Sequence, residues 1–206
     1  MAVEEKLTKE LILKLMAIKG EARGATFKTD AEFVLQKEGE IGLKVLEERL
    51  TELGCPIKYK EIKSMAFYPL GLRMVSLLAI KEVFNFDEEK IKEMGQYAPK
   101  TSVIIKFMLR YFTFPLPQKL FQREAPKGWR KHYTVGELIP VELNQEKKCF
   151  IVRLKDFDFH PLFCIYLKGY FLSVIKMLVR SSQITGEETQ CTFKGDQYHE
   201  FQIKWQ

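Results

Sequence analysis

The chain has 206 residues, 46% of them hydrophobic and 29% charged, with a formal net charge of +6. That length supports one large domain or two small ones, and that composition excludes a disordered or collagen-like chain. Thirty-three basic against 27 acidic residues permit an acidic partner without requiring one. Apolar runs such as Val103 to Ile105 and Leu162 to Leu167 fall far short of the roughly 18 residues of a membrane span, so no span is expected. The start, Met1 to Lys6, places acids where an export signal carries bases. Four cysteines with no secreted spacing complete the expectation of a cytoplasmic protein with free or metal-bound thiols.

Leu7 to Met16 is amphipathic and predicts a first helix ending near Gly20. Thr29-Asp30-Ala31-Glu32 is a capping box, so a second helix is expected to start there. Leu43, Leu46, Leu50 and Leu53 form its apolar stripe, and Gly54-Cys55-Pro56 supplies the stop. Pro69 opens a third helix with a wide apolar arc from Leu72 to Val83. Asp87 caps a short helix to about Tyr97, and Pro99 precedes another carrying Val103, Ile104, Phe107, Met108 and Tyr111 on one face. Pro115 and Pro117 then end the helical half.

Beyond them the pattern changes. Val135 to Leu143 and Cys149 to Leu154 read as a β-hairpin, and Pro161 opens a helix to about Arg180. The last segment alternates, with His199, Phe201, Ile203 and Trp205 on one face and Cys191 and Phe193 in step with them. Parity then prefers a three-residue turn, Gly195 to Gln197, with Phe193 facing His199 and Cys191 facing Phe201. Helices, hairpin, helix and hairpin make an α+β fold with an antiparallel sheet. We read residues 1–206 as a single domain, with residues 1–113 as its helical half and residues 133–205 as the half that binds ligand or metal.

Cys164, Cys191, His199 and His160 are the candidate metal ligands. His160 and Cys164 lie four apart around a helix start, where the dipole favours a thiolate, and Cys191 and His199 share a sheet face as diagonal neighbours. Two sulfurs with one or two imidazoles suit zinc; the alternative is a pair of small buried hydrophobes beside a core histidine. The 16 Phe and 8 Tyr residues suggest an apolar pocket walled by Phe107, Tyr111, Phe163, Tyr166 and Tyr170, or else plain core packing. The run Lys119, Arg123, Lys127, Arg130 and Lys131, with Trp129 and Tyr133 among them, fits single-stranded nucleic acid by composition. A solvated loop is the preferred reading, and no nucleic-acid partner is expected. No phosphate loop, nucleophile elbow or dinucleotide fingerprint is present in the sequence, so binding is expected rather than turnover.

The segments Phe163 to Tyr170, Glu187 to Cys191 and Gly195 to Phe201 resemble the 4-vinyl reductase-like domain family. That family is related in fold to subunits of the TRAPP tethering complex and to haem-NO-binding domains. The matching residues are Cys164, Gly169, Tyr170, Glu188, Cys191, Gly195, Asp196 and Phe201, while His199 stands where the family has a third cysteine. The resemblance implies a small-molecule-binding sensor or scaffold, dimeric, with zinc on the cysteine set. Haem is set aside, because His132, His160 and His199 are the only histidines and none lies in a long helix of the helical half. A homodimer through helices of residues 30–113 and an apolar small-molecule ligand complete the reading. The alternative is a zinc-dependent enzyme or accessory protein of tetrapyrrole or hydrocarbon metabolism.

Overall fold

A computed structural model describes residues 6–101, 117–179 and 181–206. The chain forms two compact units, residues 1–89 and 90–206, and the architecture is α+β. In the first unit, α1 (Lys9–Met16) is capped by Thr8, whose hydroxyl accepts from the Leu11 amide. Strands β1 (Glu21–Arg23) and β2 (Phe67–Pro69) pair antiparallel with Ala22 opposite Tyr68. Helix α2 (Gly24–Glu52) follows β1 directly and breaks at Gly39, whose φ is 69°. The capping box is therefore overtaken: the helix is already running at Thr29, whose hydroxyl donates to the Ala25 carbonyl.

The end of α2 is as expected. Gly54 is left-handed at φ 74°, its amide donates to Thr51 and that of Cys55 to Leu50, which is the Schellman pattern. Pro69 caps α3 (Leu70–Val83), whose residues Leu70, Met74, Val75, Leu77 and Ile80 are all buried. Leu43, Leu46 and Leu50 are buried within the same unit, so the stripes that motivate a dimer are covered inside one chain. Arg73 of α3 and Asp30 of α2 form an ion pair at 2.8 Å with neither side chain exposed.

Helix α4 (Glu88–Thr101), which belongs to the second unit from Lys90 on, runs through Pro99 as one helix where the sequence predicts two. Residues Val103 to Tyr111 lie outside the described residues. The basic run expected as a loop is also a helix, α5 (Gln118–Arg130), with Phe121 and Trp129 buried on one face. Strands β3 (Glu137–Asn144), β4 (Cys149–Lys155), β5 (Ile184–Gln190) and β6 (His199–Trp205) form one antiparallel sheet in the order β3-β4-β6-β5. Gln118 of α5 clamps the β3 edge: its amide nitrogen donates to Val141 O, and its oxygen accepts from Leu143 N.

Helix α6 (Pro161–Val179) packs on β5 and β6, with Phe171 against Phe201 and Phe150. Contiguous runs understate this helix, because its 19 residues have the length and mean hydropathy (1.7) of a span. Here half of the apolar stretch is buried within the fold, which is what a core helix over a sheet requires. Gly169 shows why the backbone matters as well. A Cβ there would sit 2.1 Å from the Lys92 carbonyl oxygen, and one on Gly95 would sit 2.0 Å from that of Tyr166. Helices α4 and α6 therefore meet backbone to backbone, and any side chain at either glycine would push them apart.

Candidate metal centre

Pro161 opens α6 because its missing amide is not needed in a first turn, and three residues later Cys164 points into the unit, 8% exposed. His199 is the first residue of β6, opposite Leu154, and is 2% exposed. Cys191 does not lie in a strand. It opens a short 3-10 turn, Thr192–Lys194, closed by left-handed Gly195 at φ 96°. The Asp196 carboxylate accepts the Cys191 amide at 2.7 Å and fixes this turn. The predicted three-residue hairpin is thus a longer connection, and Phe193, expected to face inward, is 40% exposed with its ring 5.6 Å from His199.

The fourth donor is Glu188. On a regular strand Glu188 and Cys191 face opposite sides, since they are three apart. The register shifts between Glu188, which pairs with Phe201, and Gln190, which pairs with Glu200. This bulge inserts Thr189 as an extra residue and reverses the parity, so both donors face inward.

Cys164, Glu188, Cys191 and His199 bring their ligand atoms within 4.8 Å of one another. Cys164 Sγ lies 4.0 Å from Cys191 Sγ and 3.5 Å from His199 Nδ1. A tetrahedral ion with bonds of about 2.3 Å to sulfur and about 2.0 Å to nitrogen separates two sulfurs by roughly 3.8 Å and sulfur from nitrogen by roughly 3.5 Å. Those spacings match. Glu188 Oε1 is 2.9 Å from His199 Nδ1, a hydrogen-bond distance shorter than the roughly 3.4 Å between two such ligands on one ion. Thr192 Oγ1 lies 2.9 Å from His199 Nε2. A hydroxyl both donates and accepts, so Thr192 serves the ring whether the proton is on Nε2 or on Nδ1.

The electrostatics correct the expected thiolate. Burial, and then the Glu188 carboxylate, push the Cys164 thiol far above its ordinary range, and burial pushes Cys191 up. One helix terminus does not offset removal from water beside an anion. Two thiols, a carboxylate and an imidazole form a set of lone-pair donors that a divalent cation would neutralise.

Of the predicted ligands, the structure brings together Cys164, Cys191 and His199. His160 is not among the four, and its Nδ1 accepts the Leu162 amide at the α6 start. Among the predicted pocket residues, Phe163 and Tyr166 are buried and their rings stack at 5.5 Å. Phe163 also meets Phe157 and Tyr133. Tyr170 is half-buried and sits edge-on to Phe171, and Phe107 and Tyr111 lie outside the described residues. Trp129 and Tyr133 are buried rather than offered on the basic face, and the Trp129 indole donates to Val135 O. Glu188 and Thr192 are the site residues that sequence reasoning missed as ligand and partner; Glu188 was visible only as part of the family pattern.

No family model matches the sequence, and no curated protein matches it. The chain is similar to an H-NOX protein from S. oneidensis in the Fe(II)NO ligation state, with a TM-score of 0.65 and 13% identity, covering 89% of this chain and 99% of that one. A mutant H-NOX domain from Shewanella oneidensis in the Fe(II)CO state gives 0.65, 14%, 89% and 98%. An Fe(II) unliganded H-NOX mutant from K. algicida gives 0.59, 13%, 89% and 96%. Other similar structures concern haem redox potential and haem distortion. Two expectations are corrected by these neighbours. The resemblance to the 4-vinyl reductase-like family gives way to H-NOX domains, and the setting aside of haem does not stand, since the proteins that share the architecture are haem proteins. The chain has the fold of H-NOX domains.

Proposed function

We propose that this chain is a small-molecule-sensing module whose second unit holds one divalent ion of the zinc class on Cys164, Glu188, Cys191 and His199. The observation that carries the reading is the convergence of four donor atoms within 4.8 Å, two of them thiol sulfurs, in a buried setting. With all four bound the ion is enclosed, which suits a structural or regulatory centre; the enzyme alternative needs a position for water. The shared fold favours haem as a second group. Haem iron takes an imidazole, thioether or phenolate, and His132, His160 and, in sequence, Met108 and Tyr111 are among the side chains that offer one. When bound, haem supplies an iron that takes a diatomic gas.

Tyr170 is where an apolar ligand would meet α6, since among the described members of the predicted set it is the half-buried one. Ile41 and Val45, one turn apart on α2 and 81% and 43% exposed, support association of two copies. Elemental analysis of protein purified without chelator tests the metal reading, with one zinc per chain expected and little in Cys164→Ser or Cys191→Ser. Metal well below one per chain, or full retention in both variants, overturns it. Haemin titration tests the second reading, with a stoichiometric Soret shift expected and its absence ending that reading. Light scattering at micromolar concentration reports the subunit number.

A further inference from the structure

We infer that Glu188 is an exchangeable ligand, and that its departure opens a coordination position for a small anionic donor such as azide or a thiolate. This inference rests on the metal reading above. The four donors are not equivalent in their surroundings. Cys164 is anchored in the first turn of α6, Cys191 in a turn tied by Asp196, and His199 on β6 between two paired strands. Glu188 stands on β5, which is the last strand of the sheet and has no strand beyond it among the described residues. It also adjoins the bulge, where the ladder to β6 is interrupted.

Exposure and distance single out the same residue. The Glu188 side chain is 15% exposed, against 2% for that of His199, and the two cysteines are 8% and 4% exposed. Cys164, Cys191 and His199 already stand at ion-bound spacing where measured, whereas Glu188 rests on His199 at hydrogen-bond distance. It must therefore move to reach the ion, and the 2.9 Å contact marks a resting place close by. Carboxylate oxygen is also the harder donor beside two thiolates on a borderline-soft ion. The exchange balances without redox chemistry: the Glu188 oxygen withdraws its lone pair from the ion as the entering anion supplies one. Neither oxidation state nor proton count changes.

Cobalt(II) substitution of the full chain tests this, because its d–d bands report the donor set and its thiolate charge-transfer band reports Cys ligation. Glu188→Ala is expected to keep one cobalt per chain with the charge-transfer band intact and to bind azide at least tenfold more tightly than wild type. Glu188→Gln, which preserves side-chain volume, is expected to behave in the same way. Loss of stoichiometric cobalt from both variants overturns the inference, as does azide affinity equal to that of wild type. Failure of wild-type protein itself to take up cobalt with a thiolate band overturns instead the metal reading beneath it, so the two failures are distinguishable.

Discussion

In the first unit Asp30 and Arg73 meet at 2.8 Å with no exposure; in the second, two thiols, a carboxylate and an imidazole meet within 4.8 Å. Both are buried polar clusters, yet their charge arithmetic differs. The first contains an acid and a base and is neutral when both are ionised. The second contains four groups that can donate lone pairs, and burial raises both of its thiols. The first cluster supplies its own countercharge, whereas on the metal reading proposed above the second is completed by a cation.

The sharpest test of that contrast is Arg73→Met. Removing the guanidinium leaves the Asp30 carboxylate buried and uncompensated, and urea denaturation is expected to show a loss of about 3–5 kcal/mol. Adding Asp30→Leu is expected to recover most of it, because apolar replacement of both partners is tolerated better than loss of one. A single variant within about 1 kcal/mol of wild type would remove the pair from the comparison.

Thr192→Val probes the other cluster. It leaves His199 Nε2 without the hydroxyl that orients the ring and is expected to weaken zinc binding by about 10–100-fold, the usual cost of removing such a partner. Thr192→Ser retains the hydroxyl and is expected to stay near wild type. Competition against a chromophoric chelator measures both, and equal affinities for all three proteins would show that the ring is oriented by other contacts.

The smallest effect is one of pH. The Cys164 thiol is raised in the fold by burial and then by Glu188, while in the unfolded chain it ionises from about pH 8.5. Above that pH the unfolded chain sheds a proton that the folded chain keeps, so metal-free protein loses stability as pH rises. The slope approaches about 1.4 kcal/mol per pH unit for this thiol. Zinc-loaded protein already carries thiolates and is expected to lack this loss between about pH 8.5 and 10. Thermal melts of chelated and loaded samples that run parallel across the window would break the contrast between the clusters.

What could be read in advance was local. Pro161 and a nearly unbroken apolar run announce α6, a short extended segment after the polar turn announces β4, alternation announces β6, and Gly54 announces the end of α2. What escaped depends on events elsewhere in the chain. Glu188 and Cys191 share a face because of a register shift between β5 and β6, which their three-residue spacing argues against. Three-residue β1 and β2 are too short for any period to register. Helix α5 did carry a sign, since Phe121, Ala125 and Trp129 recur every four residues, but Pro126 and its charges obscured it. The break at Gly39 interrupts no apolar stripe and so leaves no mark on periodicity.

The Gln118 clamp bears on how copies of this protein behave in a crowded solution. Open-ended stacking of sheets into fibres requires each molecule to offer a bare strand on two sides, so that every arrival leaves a fresh place for the next. Here a glutamine amide occupies one backbone group each of Val141 and Leu143 on the β3 margin, and β5 forms the other margin of the same sheet. A strand arriving at β3 must first displace that amide, so a helix side chain raises the cost of two-sided growth through this sheet.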